Sequence, residues 1–163
     1  MHILSALGLI FLAATFAAVA GDNPYDEKAD AKAEIKQALT EAATSKIPVI
    51  VVFGANWCPD CRSLDLAMHR GATAQLLADH FKIVKVNLGG RGEQKGTFAA
   101  NGDLAKLYGV PLEKGIPALA ILSAGNEVLY ATHEGELEDA RHMGDQGIHD
   151  FFQRVIDSTV PKK

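Results

Sequence analysis

The chain has 163 residues, of which 48% are apolar, and it carries a formal net charge of −4. This length and this apolar fraction suit one domain with an ordinary core and argue against a multidomain protein. The acidic balance, without a row of Lys and Arg along one face, argues against binding to nucleic acid or to an anionic membrane.

The N-terminal residues have the character of a secretory signal. Residues 1–20 contain no Lys, Arg, Asp or Glu, run apolar from Ile3 to Val19 and end in a small-residue site at Ala20. This pattern is typical of a cleaved signal peptide, and it predicts an exported, periplasmic protein, which we expect to be monomeric. The apolar run also approaches the length of a membrane span, so an uncleaved N-terminal anchor is the alternative.

Two parts follow the predicted signal: a helical segment over residues 21–44 and a main domain over residues 45–160. Apolar side chains recur at helical spacing over residues 26–45, which predicts an amphipathic helix. They are Ala31, Ile35, Leu39 and Ala42. The β-branched run at residues 49–53 then predicts a central strand that is covered on both faces.

The remaining pattern alternates further helices and strands. In chain order it first predicts a helix opened by Pro59 and closed near Arg70-Gly71, a short helix at 73–80 and a strand at 83–88. It then predicts a glycine-rich surface loop at 89–101 and a helix capped by Asp103 and ending at Tyr108. Strands at 118–122 and 128–132 follow, and a final helix has an apolar stripe that covers 148–156. The acidic segment 134–145 is predicted to be a solvated loop, with a partner-binding flap as the alternative. This element order predicts an α/β fold with a mixed sheet between helices.

Two cysteines, Cys58 and Cys61, form a Cys-X-X-Cys where the predicted central strand leads into a helix. A helix N-terminus stabilises an anion there, which favours a Cys58 thiolate. A purely structural disulfide would close too short a loop to stabilise the fold much, and the six scattered histidines supply no zinc cluster. The pattern therefore favours a redox-active dithiol, with Cys58 attacking and Cys61 resolving, and it predicts no metal site.

The segment from Trp57 to Cys61 resembles the active site of the thioredoxin superfamily, and Gly115-Ile116-Pro117 resembles its cis-proline loop. The resemblance spans roughly residues 45–158. It implies a thioredoxin-like three-layer sandwich, thiol:disulfide oxidoreductase activity and no soluble cofactor. It also implies a cis proline facing the disulfide and a substrate backbone that pairs beside it. The implied substrate-binding residues are Trp57, Pro59, Asp60, Ile116 and Pro117.

The sequence departs from thioredoxins at two points. Thioredoxins carry a buried aspartate at the position of Val52, so Lys85, which matches its partner, is expected to lack one. Proton transfer at Cys61 would then use water or another carboxylate. The dipeptide Pro59-Asp60 replaces Gly-Pro, and Asp60 is expected either to oppose a Cys58 thiolate or only to decorate the first helical turn.

The function predicted from these observations is an exported thiol:disulfide oxidoreductase that exchanges or reduces disulfides of other exported proteins. An upstream redox partner of unknown identity must set its redox state, because the compartment outside the inner membrane is oxidising. One alternative is a disulfide donor or isomerase. Another is a redox-inert binding module with the same fold.

Overall fold

The computed structural model describes residues 23–94 and 96–159, so the predicted signal peptide lies outside the described residues. Its elements are α1 (Ala31–Ser45), β1 (Val49–Gly54), α2 (Pro59–Met68), α3 (Gly71–His80), β2 (Lys82–Asn87), α4 (Gly102–Leu107), a 3-10 turn (Leu112–Lys114), β3 (Ala118–Leu122), β4 (Val128–Ala131) and α5 (Ala140–Thr159). The strands form one sheet in the order β2-β1-β3-β4. β1 runs parallel to β2 and antiparallel to β3, and β3 runs antiparallel to β4. This mixed sheet with helices on both faces confirms the predicted three-layer α/β sandwich.

The continuous apolar run of β1 supplies two cores at once. Val49 and Val51 pack with α1 and α4 on one face, whereas Ile50 and Val52 pack with α2, α3 and α5 on the other. Side chains alternate across a strand, so an interior strand needs apolar residues at every position. All six residues of β1 are buried. The prediction of a central strand is confirmed.

Local capping places several boundaries differently from the prediction. α1 begins at Ala31 and not near residue 26, because the Asp30 side chain accepts from the Ala33 N–H at 3.0 Å and caps the helix there. Asn101, and not Asp103, stands at the N-cap of α4. Gly71, with a φ of 53°, begins α3 and does not end α2 as predicted.

α5 is two helical stretches joined at Gly144, where φ is 67° and ψ is 171°. The predicted apolar stripe lies in the second stretch and is buried against the sheet. Among the described residues, no helix combines the length and the apolar character needed to cross a membrane.

Candidate active site

Cys58 and Cys61 lie at the N-terminus of α2, directly after β1 and a short turn. Cys58 is the N-cap residue with extended backbone angles, and Pro59 occupies the first helical turn, where its missing N–H costs nothing. The Cys58 Sγ accepts from the Cys61 N–H at 3.1 Å. The two side chains form a disulfide with a Cα separation of 5.3 Å. The first turn of α2 therefore presents the Cys61 N–H to the sulfur of Cys58.

The two cysteine residues differ little in solvent exposure, but their neighbours differ. Cys58 is 4% exposed and Cys61 is fully buried. The Cys58 Sγ lies 3.7 Å from the backbone oxygen of Ile116, and the Ile116-Pro117 peptide bond is cis. The loop for which the resemblance predicted substrate binding thus lies directly against Cys58.

Trp57, which directly precedes Cys58, is 41% exposed. The indole Nε1 donates to the backbone oxygen of Gly89 at 2.8 Å. The ring of Phe98 stacks on the indole at a centroid distance of 6.5 Å, and the guanidinium of Arg91 lies 4.6 Å from its centroid. The loop predicted at 89–101 therefore fixes the orientation of Trp57, which local sequence around the cysteines did not indicate.

Asp60 does not face solvent as a free anion. Its Oδ1 accepts from the backbone N–H of Arg141 at 3.1 Å, and the Arg141 Nε lies 3.6 Å away. The carboxylate thus joins the start of α2 to the start of α5, so it does more than decorate a helical turn. Because the Arg141 guanidinium offsets its charge, Asp60 opposes a Cys58 thiolate less than an isolated anion would.

The expectation that Lys85 lacks a partner is wrong. The Lys85 Nζ donates to the Oδ1 of Asp65 at 2.9 Å, and Asp65 is 3% exposed. Asp65 follows Cys61 by one turn of α2, so the two side chains share a helix face. His69, a further turn on, places its Nδ1 3.5 Å from the same carboxylate oxygen. The buried carboxylate comes from helix α2, whereas thioredoxins carry theirs on the strand, at the position of Val52.

Tyr25 is a site residue that the sequence analysis missed. It is 1% exposed and packs in one cluster with Cys58 and Cys61, against which Ile116 also packs. Burial, and after it the negative charge of Asp65, raises the pKa of the Tyr25 phenol far above its usual value. The only signal in the sequence was a single aromatic residue in an otherwise polar segment.

The Tyr25 backbone is clamped by the turn that precedes the cysteines. The backbone N–H of Tyr25 donates to the Asn56 Oδ1 at 3.0 Å, and the Asn56 Nδ2 donates to the backbone carbonyl oxygen of Tyr25 at 2.8 Å. At Gly54, the last residue of β1, a Cβ would overlap the ring of Tyr25. Glycine at this position therefore makes room for the aromatic ring beneath the disulfide.

Residues 30–124, more than half of the chain, match a family model described as thioredoxin-like. The chain belongs to the thioredoxin-like family. It carries the Cys-X-X-Cys pair of the disulfide oxidoreductases in that family. Tyr25 precedes the matched residues.

Similar proteins of this family include a disulphide isomerase from Xylella fastidiosa Temecula1, which is 41% identical with a TM-score of 0.72. That comparison covers 81% of this chain and 95% of the other. Thioredoxin 1 of Synechococcus elongatus is 34% identical over 88 residues, which is 54% of this chain and 68% of that protein. A structure named DsbH Oxidoreductase covers 96% of both chains at 15% identity and a TM-score of 0.55, and supports the fold alone.

The acidic segment borders this thioredoxin-like site on the side of the cis-proline loop. Leu137 is fully buried and anchors the segment, whereas the carboxylates around it are exposed. The Lys114 Nζ donates to Glu134 at 3.0 Å, and a Cβ at Gly135 would lie 2.6 Å from the Lys114 oxygen. The start of the segment is therefore fixed against the loop that precedes Ile116, whereas residues 140–145 belong to α5 and do not form the predicted loop. Within residues 23–94 and 96–159, no group of three His, Cys, Asp or Glu side chains could hold a metal ion.

Proposed function

We propose that this chain exchanges or reduces disulfides of exported protein substrates through Cys58 and Cys61, without a soluble cofactor. The observation that carries the proposal is the position of Cys58, which caps α2 and touches the backbone of Ile116. The helix N-terminus favours the thiolate form, and the thiolate is the nucleophile in disulfide exchange. We assign substrate binding to Trp57, Pro59, Asp60, Ile116 and Pro117, of which Ile116 contacts the attacking sulfur through its backbone oxygen.

In the first step, the Cys58 thiolate attacks one sulfur of a substrate disulfide. A bond forms between Cys58 and that sulfur, and the other substrate sulfur leaves as a thiolate. The substrate backbone lies along Ile116, and Trp57 contacts the substrate from the other side. Access to Cys58 in this geometry favours an extended segment over a folded surface.

In the second step, Cys61 loses its proton and attacks the Cys58 sulfur. The bond between Cys58 and the substrate breaks, the second substrate thiolate leaves, and the Cys58–Cys61 disulfide forms. We assign Asp65, one turn from Cys61 on α2, as the acceptor of this proton, in place of the strand aspartate of thioredoxins. An upstream dithiol partner then returns the pair to its reduced state.

Substitution of each cysteine tests the assigned roles. Cys58→Ser should abolish reduction of insulin disulfides, whereas Cys61→Ser should accumulate mixed disulfides with physiological partners, because the substrate can no longer be displaced. The double variant is the matched control and should trap nothing. If Cys58→Ser traps the adducts instead, the roles of the two residues are reversed.

A disulfide isomerase or donor is the second candidate, favoured by the 41% identity to the Xylella disulphide isomerase. The reduction potential separates the possibilities, since reductants lie near about −270 mV and strong donors near about −120 mV. We expect a value nearer the reducing end. A value at the oxidising end, together with reactivation of scrambled ribonuclease, would replace the reductase by the isomerase or donor. A disulfide that dithiothreitol cannot open in the folded protein would instead favour the redox-inert binding module.

We also propose that the protein acts as an exported monomer in the periplasm. Support comes from the uncharged apolar residues 1–20, which end in Ala20. Mass spectrometry of the native protein should find Gly21 as its first residue in the soluble periplasmic fraction. Recovery of residues 1–20 in the membrane fraction would establish the N-terminal anchor instead.

A further inference from the structure

Tyr25 closes the buried side of the cysteine pair, although it lies outside the thioredoxin-like match. Tyr25 is 1% exposed and packs in one buried cluster with Cys58 and Cys61. The Asn56 side chain holds the Tyr25 backbone through two hydrogen bonds, of 3.0 and 2.8 Å. The contact therefore belongs to a fixed segment and not to a side chain that only fills space.

The groups around this ring are titratable and charged. Asp65, whose negative charge acts on the Tyr25 phenol, forms an ion pair with the partly exposed Lys85, and His69 approaches the same carboxylate from α2. On the N-terminal side, Glu27 accepts from the Asn56 Nδ2 at 3.2 Å. Cys61, fully buried, is the group beside them that gains and loses a proton in the proposed reaction.

We infer that Tyr25 is a positioning residue of the redox site, whose ring excludes water from Cys61 and makes Asp65 the acceptor of the Cys61 proton. A buried thiol without access to water resists ionisation, because its thiolate is poorly solvated. The proton then passes from the Cys61 sulfur to an Asp65 oxygen while Cys61 attacks Cys58. The bond from Cys58 to the substrate sulfur breaks in the same step, so charge and protons balance.

The first test is the titration of Cys61 in a Cys58→Ser background, followed by the pH dependence of its alkylation by iodoacetamide. Adding Tyr25→Ala should lower the pKa of Cys61 by about one unit, because water then reaches and solvates the thiolate. Tyr25→Phe keeps the ring and should restore the original titration. An unchanged Cys61 pKa in the Tyr25→Ala protein would overturn the inference.

Tyr108→Ala is the matched control for this titration. Tyr108 is also a buried tyrosine, but it packs in the core layer formed with α1 and α4, away from the cysteines. Its removal should leave the Cys61 titration unchanged. A similar shift in both alanine variants would show that general loosening of the fold, and not the ring over the cysteines, moves the pKa.

The second test rests on the proposed function, because it measures the resolving step. The reduced protein reacts with dithiobis(nitrobenzoate) at Cys58 and releases one equivalent of thionitrobenzoate. Attack by Cys61 on the resulting mixed disulfide then releases a second equivalent. Asp65→Asn should slow this second release by about tenfold or more, as expected for loss of a general base. In the Tyr25→Ala background the same change should slow it by no more than about twofold, because water can take the proton. Equal effects in both backgrounds would refute the coupling, and Asp65→Glu should recover most of the rate.

The two tests can fail independently of each other. If the protein with both cysteines never releases the second equivalent, the proposed exchange reaction is wrong, whereas the Cys61 titration still decides the role of Tyr25. If Tyr25→Ala does not fold, Asn56→Ala loosens the backbone clamp with the ring in place. That variant should then lower the Cys61 pKa in the same direction, and no change would overturn the inference.

Discussion

Asp65 combines near-complete burial with a formal charge, and its contact with Lys85 makes that combination tolerable. Asp65→Asn should lower the free energy of unfolding by about 2–3 kcal/mol, less than for a fully buried pair, because Lys85 remains partly exposed. The double variant Asp65→Asn/Lys85→Met should recover much of this loss. Urea unfolding of the wild type and the two variants measures these losses, and equal losses in the single and double variants would show that the pair is not the cause.

Asp60 is expected to matter more to the packing of α5 than to the charge at Cys58. Asp60→Ala removes the acceptor of the part-buried Arg141 N–H and should cost about 1–3 kcal/mol of stability. Asp60→Asn keeps an oxygen acceptor and should cost less than half as much. Equilibrium urea unfolding compares the two variants with the wild type. Equal losses in the alanine and asparagine variants would show that the charge, and not the hydrogen bond, holds α5.

The residues that sequence reasoning found and missed differ in how local their signals are. Cys58, Cys61 and Pro117 stand in short motifs, so a few neighbouring letters suffice. Asp65 lies one helical turn from Cys61, but its importance appears only when β2 brings Lys85 beside it. Tyr25 reaches the disulfide through a contact between segments distant in the chain, for which no local pattern exists.

At the level of elements, α5 depends on a glycine that breaks its helical geometry. Gly144, with φ of 67° and ψ of 171°, adopts angles that only glycine reaches easily. Gly144→Ala should therefore destabilise the protein by about 1–3 kcal/mol, although a Cβ there would meet no atom within 4 Å. Thermal and urea unfolding measure the loss.

Gly102 is the matched control for this prediction, because it is helical and its Cβ position is also free of contacts. Gly102→Ala should stabilise the protein by about 0.5–1 kcal/mol, since alanine loses less backbone entropy in a helix. The two substitutions are chemically identical and should differ in sign. A stabilising Gly144→Ala would mean that α5 can run as one straight helix.

The elements themselves were largely predictable, and their ends were not. The apolar run of β1 and the stripe of α5 follow from burial on a sheet, which repeats over many residues. The starts of α1 and α4 depend instead on single capping residues, Asp30 and Asn101, that compete with equally plausible neighbours. The kink at Gly144 depends on the backbone angles of a single residue, which the periodicity of the apolar side chains does not indicate.

For the whole molecule, two tyrosines with raised pKa values predict a loss of stability in alkali. Burial raises the pKa of Tyr130 to about 12 and that of Tyr25 further. Above about pH 10 the unfolded chain loses phenol protons that the folded chain retains, so it binds fewer protons and stability falls as pH rises. Tyr25 alone should contribute about 1.4 kcal/mol of loss for each pH unit above 10.

Urea unfolding between pH 8 and about pH 11 checks this slope. Tyr25→Phe should flatten it clearly, whereas Tyr130→Phe should have a smaller effect because that side chain is only partly buried. An unchanged slope in Tyr25→Phe would mean that the phenol ionises without unfolding the chain.

The position of Tyr25 and α5 outside residues 30–124 has a practical consequence for expression vectors. A recombinant fragment trimmed to the family match would lack the ring over Cys61 and the side chains of Phe152 and Ile156 that complete one core layer. Such a fragment would expose apolar surface and would let water reach the sulfur atoms. Redox assays on it would therefore not report the properties of the intact site. Cloning boundaries that keep residues 23–159 together preserve the site that the cysteines occupy.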